Sequence, residues 1–442
     1  MCKWRQEDES KPSFVPRMGS GISGLTSGPG VIVLQLENNK MKIVDTLSDT
    51  VTASVQGLAR NHRGYPGGLK SFGDNDRLIM NGGSGQVQVF RTSTENVYSM
   101  DITQQNRVSK ERLVEPHNSE VERLTVSDNG GYMATVDCTW AGLARILLKL
   151  WTWSEEVSNY VLNTQVEFPH FNGVQSMSFQ PLVKISQTAP LLLTVGNDNK
   201  VKLWQLDNSW SCAGCLQFRS LPALSGDWSS DGTVIGIAFG HLVTLWSSLD
   251  MTLKTTLAVK SNKESITNLV FGRNTCSRYL FSCSLSNMIM WDLITLSPAW
   301  SLPLSPSLHT SISQSPSLPL AAVIQKDTIQ IISPNTMSII KTFDNVNCSG
   351  GADWLDDSLY FLKYSGELIK ASRDNFDAVS DNTVMDTLTG NSWMMKTGIN
   401  STHSFKVEPK TRSRQIQDLE SMLALPLHTV PAPSVLSQTL VR

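Results

Sequence analysis

Residues 191–204 read Leu-Leu-Leu-Thr-Val-Gly-Asn-Asp-Asn-Lys-Val-Lys-Leu-Trp, and this stretch decides the fold. A run of strand-forming residues ends at Val195, and a turn rich in Gly, Asn and Asp follows it. The chain then enters a second run, in which polar and apolar residues alternate up to Trp204. Two such runs joined by a Gly/Asn/Asp turn are typical of an antiparallel β-hairpin. The stretch therefore predicts two paired strands, the second of which ends in a large ring.

The alternating segment recurs along the chain, and each copy ends in an aromatic or large aliphatic residue. The final residues, 41 to 61 positions apart, are Val44, Phe90, Trp151, Trp204, Trp246, Trp291 and Ile332. A four-stranded propeller blade takes about 40–45 residues, and loop insertions account for longer intervals. The period of two within each copy argues against helical repeats. The series predicts an all-β chain of WD-type propeller blades, with a two-sheet sandwich as the alternative fold.

Large rings at these positions have a packing role, because a blade cannot bury its own faces. Burying such a ring stabilises the fold by roughly 2–4 kcal/mol. WD-type repeats follow the Trp with Asp and carry a second Asp in the preceding turn; here Asp292 and Asp198 occupy such positions. The predicted structural anchors of the blades are Trp4, Phe90, Trp151, Asp198, Trp204, Trp246, Trp291 and Asp292.

The composition is that of an ordinary globular protein. The chain has 442 residues, 40% of them hydrophobic and 17% charged, which is enough for more than one folding unit. A formal net charge of -2 provides no global basic field toward nucleic acid. The longest apolar runs have the length of strands, and the first twelve residues lack an apolar signal region. Seven scattered cysteines indicate reduced thiols inside the cell, and we expect no membrane partner.

Three regions are expected along the chain. Residues 1–105 form the remnant of an N-terminal propeller, because Trp4 already ends a blade-like strand with nothing before it. This pattern predicts an N-terminally truncated chain. Residues 106–388 form a C-terminal propeller, one near-complete seven-bladed ring that folds on its own. Residues 389–442 form a tail with a helix over 408–425, ended by Pro426, and an extended arm after it.

Motifs that carry chemistry are sparse. Cys212 and Cys215 form a CxxC pair, but a structural zinc site needs four ligands and a second pair is missing at suitable spacing. The seven histidines are scattered, and the Gly-rich segment 82–85 reads as a hairpin turn without the Lys of a phosphate loop. Basic clusters at 60–63 and 406–414 either contact RNA phosphates or form a solvated face. The sequence therefore predicts no enzyme, catalytic residue, metal, cofactor or small-molecule substrate.

Several stretches resemble one family in loops as well as in strands. Gly-Gly-Tyr-Met-Ala-Thr-Val at 130–136, the strand 148–151 and Pro169-His170 look like the second propeller of the WD repeat-containing protein 75 family. Further similar stretches are 160–164, 228–232, 243–246 and 271–280, and the pair 78–82 and 101–105 resembles the end of that family's first propeller. The resemblance runs from about Lys3 to Ala371, and the tail at 427–436 also looks similar.

This resemblance implies a nucleolar subunit of the small-subunit processome, in its transcription-coupled subcomplex. The implied role is a non-catalytic scaffold that supports pre-ribosomal RNA transcription by RNA polymerase I and processing of small-subunit ribosomal RNA. The implied partners are other processome WD-repeat subunits, together with pre-ribosomal RNA and small nucleolar ribonucleoprotein, contacted directly or indirectly. The chain departs from the family by lacking most of the first propeller and a charged C-terminal extension. The alternative is an adaptor that presents substrates to a ubiquitin ligase or a trafficking complex.

Overall fold

The computed structural model describes residues 2–5, 8–14, 22–28, 30–36, 40–59, 68–72, 76–83, 85–94, 96–103, 119–139, 145–181, 190–259, 263–307, 310–364, 367–372 and 386–387. The predicted anchor Trp4 lies in a strand, and its side chain is outside the described part. The predicted tail 389–442 and both basic clusters also lie outside the described residues. Within the described ranges, no helix is long and apolar enough to cross a membrane.

The contacts divide the chain into two compact units. Unit 1 comprises Met1–Arg60, Phe90–Tyr98 and Leu388–Arg442, and unit 2 comprises Asn61–Val89 and Ser99–Thr387. The strands that precede residue 60 form a two-stranded sheet, β1–β2, and a four-stranded sheet, β3–β6. Their bounds are β1 (Cys2–Arg5), β2 (Asp8–Phe14), β3 (Ile22–Gly28), β4 (Val31–Leu36), β5 (Lys40–Asp45) and β6 (Val51–Gln56).

Seven four-stranded sheets follow, and each is called a blade here. Blade 1 consists of β7 (Lys70–Phe72), β8 (Arg77–Asn81), β9 (Gln86–Arg91) and β10 (Asn96–Asp101). Blade 2 consists of β11 (Ser119–Val126), β12 (Tyr132–Thr139), β13 (Arg145–Ser154) and β14 (Asn159–Glu167). Blade 3 consists of β15 (Val174–Phe179), β16 (Leu192–Gly196), β17 (Val201–Leu206) and β18 (Trp210–Leu216). Blade 4 consists of β19 (Ala223–Trp228), β20 (Val234–Phe239), β21 (Leu242–Ser247) and β22 (Leu253–Leu257).

The remaining three blades have the same order. Blade 5 consists of β23 (Asn268–Phe271), β24 (Tyr279–Cys283), β25 (Asn287–Asp292) and β26 (Ser297–Pro303), with a short 3₁₀ turn at Asn274–Cys276. Blade 6 consists of β27 (Ser311–Gln314), β28 (Ala321–Ile324), β29 (Thr328–Ser333) and β30 (Ser338–Asp344). Blade 7 consists of β31 (Cys348–Leu355), β32 (Ser358–Lys363), β33 (Leu368–Ala371) and β34 (Asp386–Thr387).

The predicted hairpin over 191–204 forms as strands β16 and β17. Leu192 pairs with Trp204, and Val195 pairs with Val201, in antiparallel register. The backbone N–H of Gly196 donates to the Lys200 carbonyl at 2.9 Å across the turn. Asn199 has a positive φ of 61°, a conformation that Asn tolerates better than most residues. The turn residues therefore set the register from which the rest of blade 3 follows.

The first strands of the blades form a closed ring. The first strand of every blade contacts the first strand of the next one, from β7 through β31, and β31 contacts β7. Closure leaves no inner strand of the ring without a neighbour, which removes the edges that an open sheet exposes. The all-β, WD-type propeller predicted from the repeats is confirmed.

The cores lie between the blades. One cluster joins Val136 and Leu148 of blade 2 to Leu192 and Trp204 of blade 3. Equivalent clusters join blade 3 to 4, 4 to 5, 5 to 6 and 6 to 7. Because each face is buried only by its neighbour, stability depends on the complete series of blades.

Blade 1 lies on the N-terminal side of the boundary predicted at residue 105. Six blades lie between residues 106 and 388, and the contacts group Asn61–Val89 with Ser99–Thr387 in unit 2. The repeat signal is weak here, since β7 has only three residues and the anchor position holds Phe90 instead of Trp. Which pieces fold independently stays a prediction, together with the limits 1–105, 106–388 and 389–442.

Candidate functional site

A polar chain links three residues of blade 3 to a histidine in the loop before it. Trp204 Nε1 donates to Thr194 Oγ1 at 2.9 Å, and Thr194 Oγ1 lies 2.8 Å from His170 Nε2. His170 Nδ1 in turn lies 2.9 Å from the Asp198 carboxylate. In the neutral imidazole, Nδ1–H donates to Asp198, and Nε2 accepts from the Thr194 hydroxyl. The predicted anchors Asp198 and Trp204 thus lie at the two ends of one network.

The network holds one neutral and one charged side chain at neutral pH. Burial lowers the pKa of His170 below its ordinary value of 6.5, and the bond to Asp198 offsets this in part. Burial by itself raises the pKa of Asp198, but the hydrogen bonds from His170 and from the backbone lower it overall. A neutral imidazole fits the interior because it donates on one side and accepts on the other. The network consequently ties the loop 168–173 to the turn of the hairpin.

In other blades the anchor indole N–H also donates to a hydroxyl, but the side chains around this bond differ. Trp151 Nε1 donates to Thr135 Oγ1 at 3.0 Å, and Trp246 Nε1 donates to Thr244 Oγ1 at 2.8 Å. Trp291 Nε1 donates to Ser282 Oγ at 2.8 Å. The predicted anchor position of blade 1, by contrast, holds a buried phenyl ring, which has no such donor.

In blade 2 an ion pair takes the place of the histidine network. Lys149 Nζ bonds the Asp137 carboxylate at 3.1 Å and the Ile102 carbonyl at 3.0 Å. Burial raises the pKa of Asp137, and the charge and hydrogen bond of Lys149 oppose this rise. In blade 3 Lys202 likewise donates to the Pro169 carbonyl at 2.6 Å. The lysine two positions before the anchor Trp therefore ties down the preceding loop in both blades.

In blade 5 a carboxylate replaces the histidine. Glu264, in the loop before β23, accepts from Ser284 Oγ and Ser286 Oγ, each at 2.7 Å. The hydrogen bonds from Ser284 and Ser286 lower the pKa of Glu264. The same loop is therefore fastened to the same hairpin turn by different chemistry.

The predicted anchor Asp292 stabilises a turn in blade 5. Its carboxylate receives two hydrogen bonds from the Arg278 guanidinium, one of them at 3.0 Å, and a backbone bond from Ile294 at 2.9 Å. The Arg278 bonds hold the pKa of Asp292 well below its usual range. Asp292 therefore fixes the link between β25 and β26.

Carboxylates and hydroxyls on the first strands connect neighbouring blades. Asp227 of blade 4 accepts from the Phe271 N–H of blade 5 at 2.9 Å. Asp353 of blade 7 accepts from the Ser71 N–H of blade 1 at 2.8 Å and from Ser313 Oγ of blade 6 at 2.9 Å. Trp354 Nε1 donates to the Ser313 carbonyl at 3.1 Å. Asp353 therefore contributes hydrogen bonds to ring closure, and sequence reasoning missed it because its partner Ser71 lies 282 residues away.

The loop 168–173 exposes two aromatic rings. The exposed fractions of Phe168 and Phe171 are 56% and 72%. The sequence reads Phe-Pro-His-Phe at 168–171, and only Pro169-His170 belongs to the family resemblance. Large apolar side chains this exposed are candidates for a contact with a partner.

The cysteine pair and the Gly-rich segment have ordinary surroundings. Cys212 and Cys215 are free and exposed on β18. In the ranges that the structure describes, no group of three or more His, Cys, Asp or Glu is placed to hold a metal ion. Gly82 N–H donates to the Gln86 carbonyl at 2.9 Å, and Gln86 N–H donates to the Gly83 carbonyl at 2.9 Å, as expected on the two sides of the predicted hairpin turn.

Comparisons with known proteins agree with this geometry. The family model for the second β-propeller of WD repeat-containing protein 75 matches residues 73–351. WD repeat-containing protein 75 of Danio rerio is 27% identical over 100% of this chain and 57% of its own length. The protein of the same name from Mus musculus is 28% identical over 69% of this chain and 38% of its own length. The match thus spans 57% of the first relative's length and 38% of the second's, so the chain corresponds to only part of these relatives.

Solved structures share the fold at low identity. A chain in the crystal structure of the mitotic checkpoint complex has 13% identity and a TM-score of 0.50, covering 83% of this chain and 93% of that one. Saccharomyces cerevisiae Sqt1 has 11% identity and a TM-score of 0.51, covering 69% and 81%. At this identity the likeness concerns the fold alone.

The blades, their indole anchors and the closed ring define a WD-repeat β-propeller protein. Within that class, the family match covers well over half of the chain, and the curated relatives carry the same name. The chain belongs to the WD repeat-containing protein 75 family.

Proposed function

We propose that this chain is a non-catalytic scaffold subunit of the small-subunit processome. In this role it supports pre-ribosomal RNA transcription by RNA polymerase I and processing of small-subunit ribosomal RNA, within the nucleolus. The single observation that carries the proposal is the family match over residues 73–351. Its partners are other processome WD-repeat subunits, with pre-ribosomal RNA and small nucleolar ribonucleoprotein contacted directly or through them.

The architecture supports a scaffold role. A closed ring with buried seams between blades is rigid, and its loops at both ends offer broad faces to several partners at once. The polar networks of the ring, such as Trp204–Thr194–His170–Asp198, fasten loops to blades. Their hydrogen-bonding capacity is therefore used in holding the fold.

Affinity purification with RNA sequencing tests the proposal. The tagged full chain is expected to co-sediment with large pre-ribosomal particles and to enrich ribosomal RNA spacer sequences. The matched control is the same tagged chain carrying a nuclear export signal, which is expected to lose both. If spacer sequences are not enriched over the exported control, the processome assignment is wrong.

A further inference from the structure

The loop 168–173, called the aromatic loop below, is held in an unusual backbone conformation. Phe168 has a φ of 49°, Asn172 of 63° and Gly173 of 105°. Positive φ is accessible to Gly and Asn but costs free energy for a bulky residue such as Phe168. The loop therefore keeps an aromatic residue at a position where a glycine would be less strained, although the ring is mostly exposed.

Hydrogen bonds from blades 2 and 3 fix this conformation. The Phe168 N–H donates to the Ile146 carbonyl at 2.9 Å, and Asn197 Nδ2 donates to the Asn172 carbonyl at 2.6 Å. The Phe171 N–H donates to Asp198 at 3.3 Å. His170, which lies between Phe168 and Phe171 in the sequence, is buried and hydrogen-bonded at both ring nitrogens. The two exposed phenyl rings are therefore presented by a pre-organised backbone, which lowers the entropy cost of binding.

The charged groups around the aromatic loop carry more positive than negative charge. Glu167 is paired with Arg145, whereas Asp198 stays negative because its partner His170 is neutral. Two lysines lie beside this one unneutralised carboxylate: Lys202, whose Nζ donates to the Pro169 carbonyl of the loop at 2.6 Å, and Lys200. The N–H of Lys200 also donates to Asp198, at 3.2 Å, and the Lys200 side chain belongs to an exposed residue of this turn. In the equivalent loop before blade 4, Arg219 is exposed, with its guanidinium 5.0 Å from the centre of the Phe218 ring. A partner with planar apolar groups and negative charge suits this arrangement.

We propose that the aromatic loop binds single-stranded RNA, with bases stacked on Phe168 and Phe171 and phosphates close to Lys200. Unstacked bases pack on exposed aromatic rings, and cations beside the rings attract the backbone phosphates. The two rings are exposed on separate residues of a short loop, as a platform for successive bases requires. This inference rests on the proposed function, for which it supplies a direct RNA contact.

Fluorescence anisotropy with the purified full chain and a short labelled oligouridine tests the inference. Phe171→Ser is expected to weaken binding about tenfold, and the double variant with Phe168→Ser by about tenfold again, because each stacked base is lost separately. Lys200→Gln is expected to reduce the slope of log affinity against log salt by about 0.7. Leu249→Ser is the matched control, since Leu249 is 94% exposed in the link between β21 and β22, at the other end of the blades.

Phe171→Trp separates stacking from insertion into a protein pocket. A larger ring stacks at least as well on a base, so RNA affinity should be kept or increased. Unchanged RNA affinity in the double Ser variant, or loss of affinity in Phe171→Trp, would overturn the inference. So would binding of an acidic aromatic peptide in place of oligouridine, which would assign the loop to a protein partner. If the parent chain ignores oligouridine and still co-sediments with pre-ribosomal particles, this inference fails and the proposed function stands.

Discussion

At the scale of the residue, one histidine shows how the repeat is fastened. His170 reaches Thr194 and Asp198 with its two ring nitrogens and is buried. The anchor Trp204 contacts it only through the Thr194 hydroxyl. Removing the middle of such a chain leaves buried donors and acceptors without partners, which costs more than the bonds contribute.

The neutral state of His170 makes the stability of the fold depend on pH. Its pKa is lowered by burial, so the unfolded chain takes up the proton first as the pH falls through 6.5. Stability is therefore full above that value and decreases between 6.5 and the lower pKa of the folded state. We expect the free energy of unfolding in urea to fall from pH 7.5 to pH 5.5 in the parent chain.

The control for this effect is His170→Gln, which keeps hydrogen-bonding atoms at the site but does not titrate. The variant is expected to be less stable than the parent at pH 7.5 and to lose less stability on acidification. Equal pH dependence in the two proteins would show that His170 is not the group responsible.

At the scale of the element, the close approach of neighbouring blades requires a glycine at one strand position. A Cβ added to Gly236 of β20 would lie 2.7 Å from the Phe271 ring of blade 5 and 3.1 Å from Leu269. Both neighbours are buried in the seam between blades 4 and 5, so neither has room to move away. The glycine here serves packing between sheets and not a turn.

Gly236→Ala is therefore expected to destabilise the protein by about 1–3 kcal/mol, as overpacking of a well-filled core does. The measurement is urea unfolding followed by tryptophan fluorescence. Gly83→Ala is the control, because its added Cβ meets the end of the Gln86 side chain at 3.3 Å in a hairpin turn. Destabilisation of the two variants by the same amount would contradict the packing argument.

At the scale of the whole molecule, closure of the ring decides how much chain is needed. Blade 1 supplies β7, which lies between β31 and β11, and Asp353 bonds Ser71 across this seam. Without blade 1, the faces of blades 2 and 7 at this seam lose their cover, and Asp353 loses its partner in blade 1. Exposed apolar faces and strand edges favour association and loss of stability.

We expect a fragment over residues 61–388 to be monomeric and to unfold at a higher temperature than a fragment over 106–388. Size-exclusion chromatography and thermal unfolding of the two purified fragments make the comparison. Asp353→Ala in the longer fragment is expected to lower its unfolding temperature by part of the difference between the two fragments. Equal stability of the two fragments would instead support the boundary at residue 105 predicted from the sequence.

The sequence by itself determines the features that depend on neighbours along the chain. The alternation up to Trp204 and the turn at 196–199 predict a hairpin, because side chains of a strand alternate between faces and Gly and Asn accept tight turns. Repetition of that hairpin then predicts the blades, and a large ring at the end of each predicts their packing. Asp198 and Trp204 could be selected in this way as anchors of blade 3.

Only the tertiary structure decides features that join distant parts of the chain. Ser71 meets Asp353 across 282 residues, and blade 1 enters the ring through a strand too short to show a period. Phe168 and Phe171 are large apolar residues, yet the structure leaves both rings exposed in a loop bonded to blades 2 and 3. The physical reason is common to these cases: burial and closure depend on which surfaces meet in space, and hydrophobic periodicity records only which face of a strand a residue occupies.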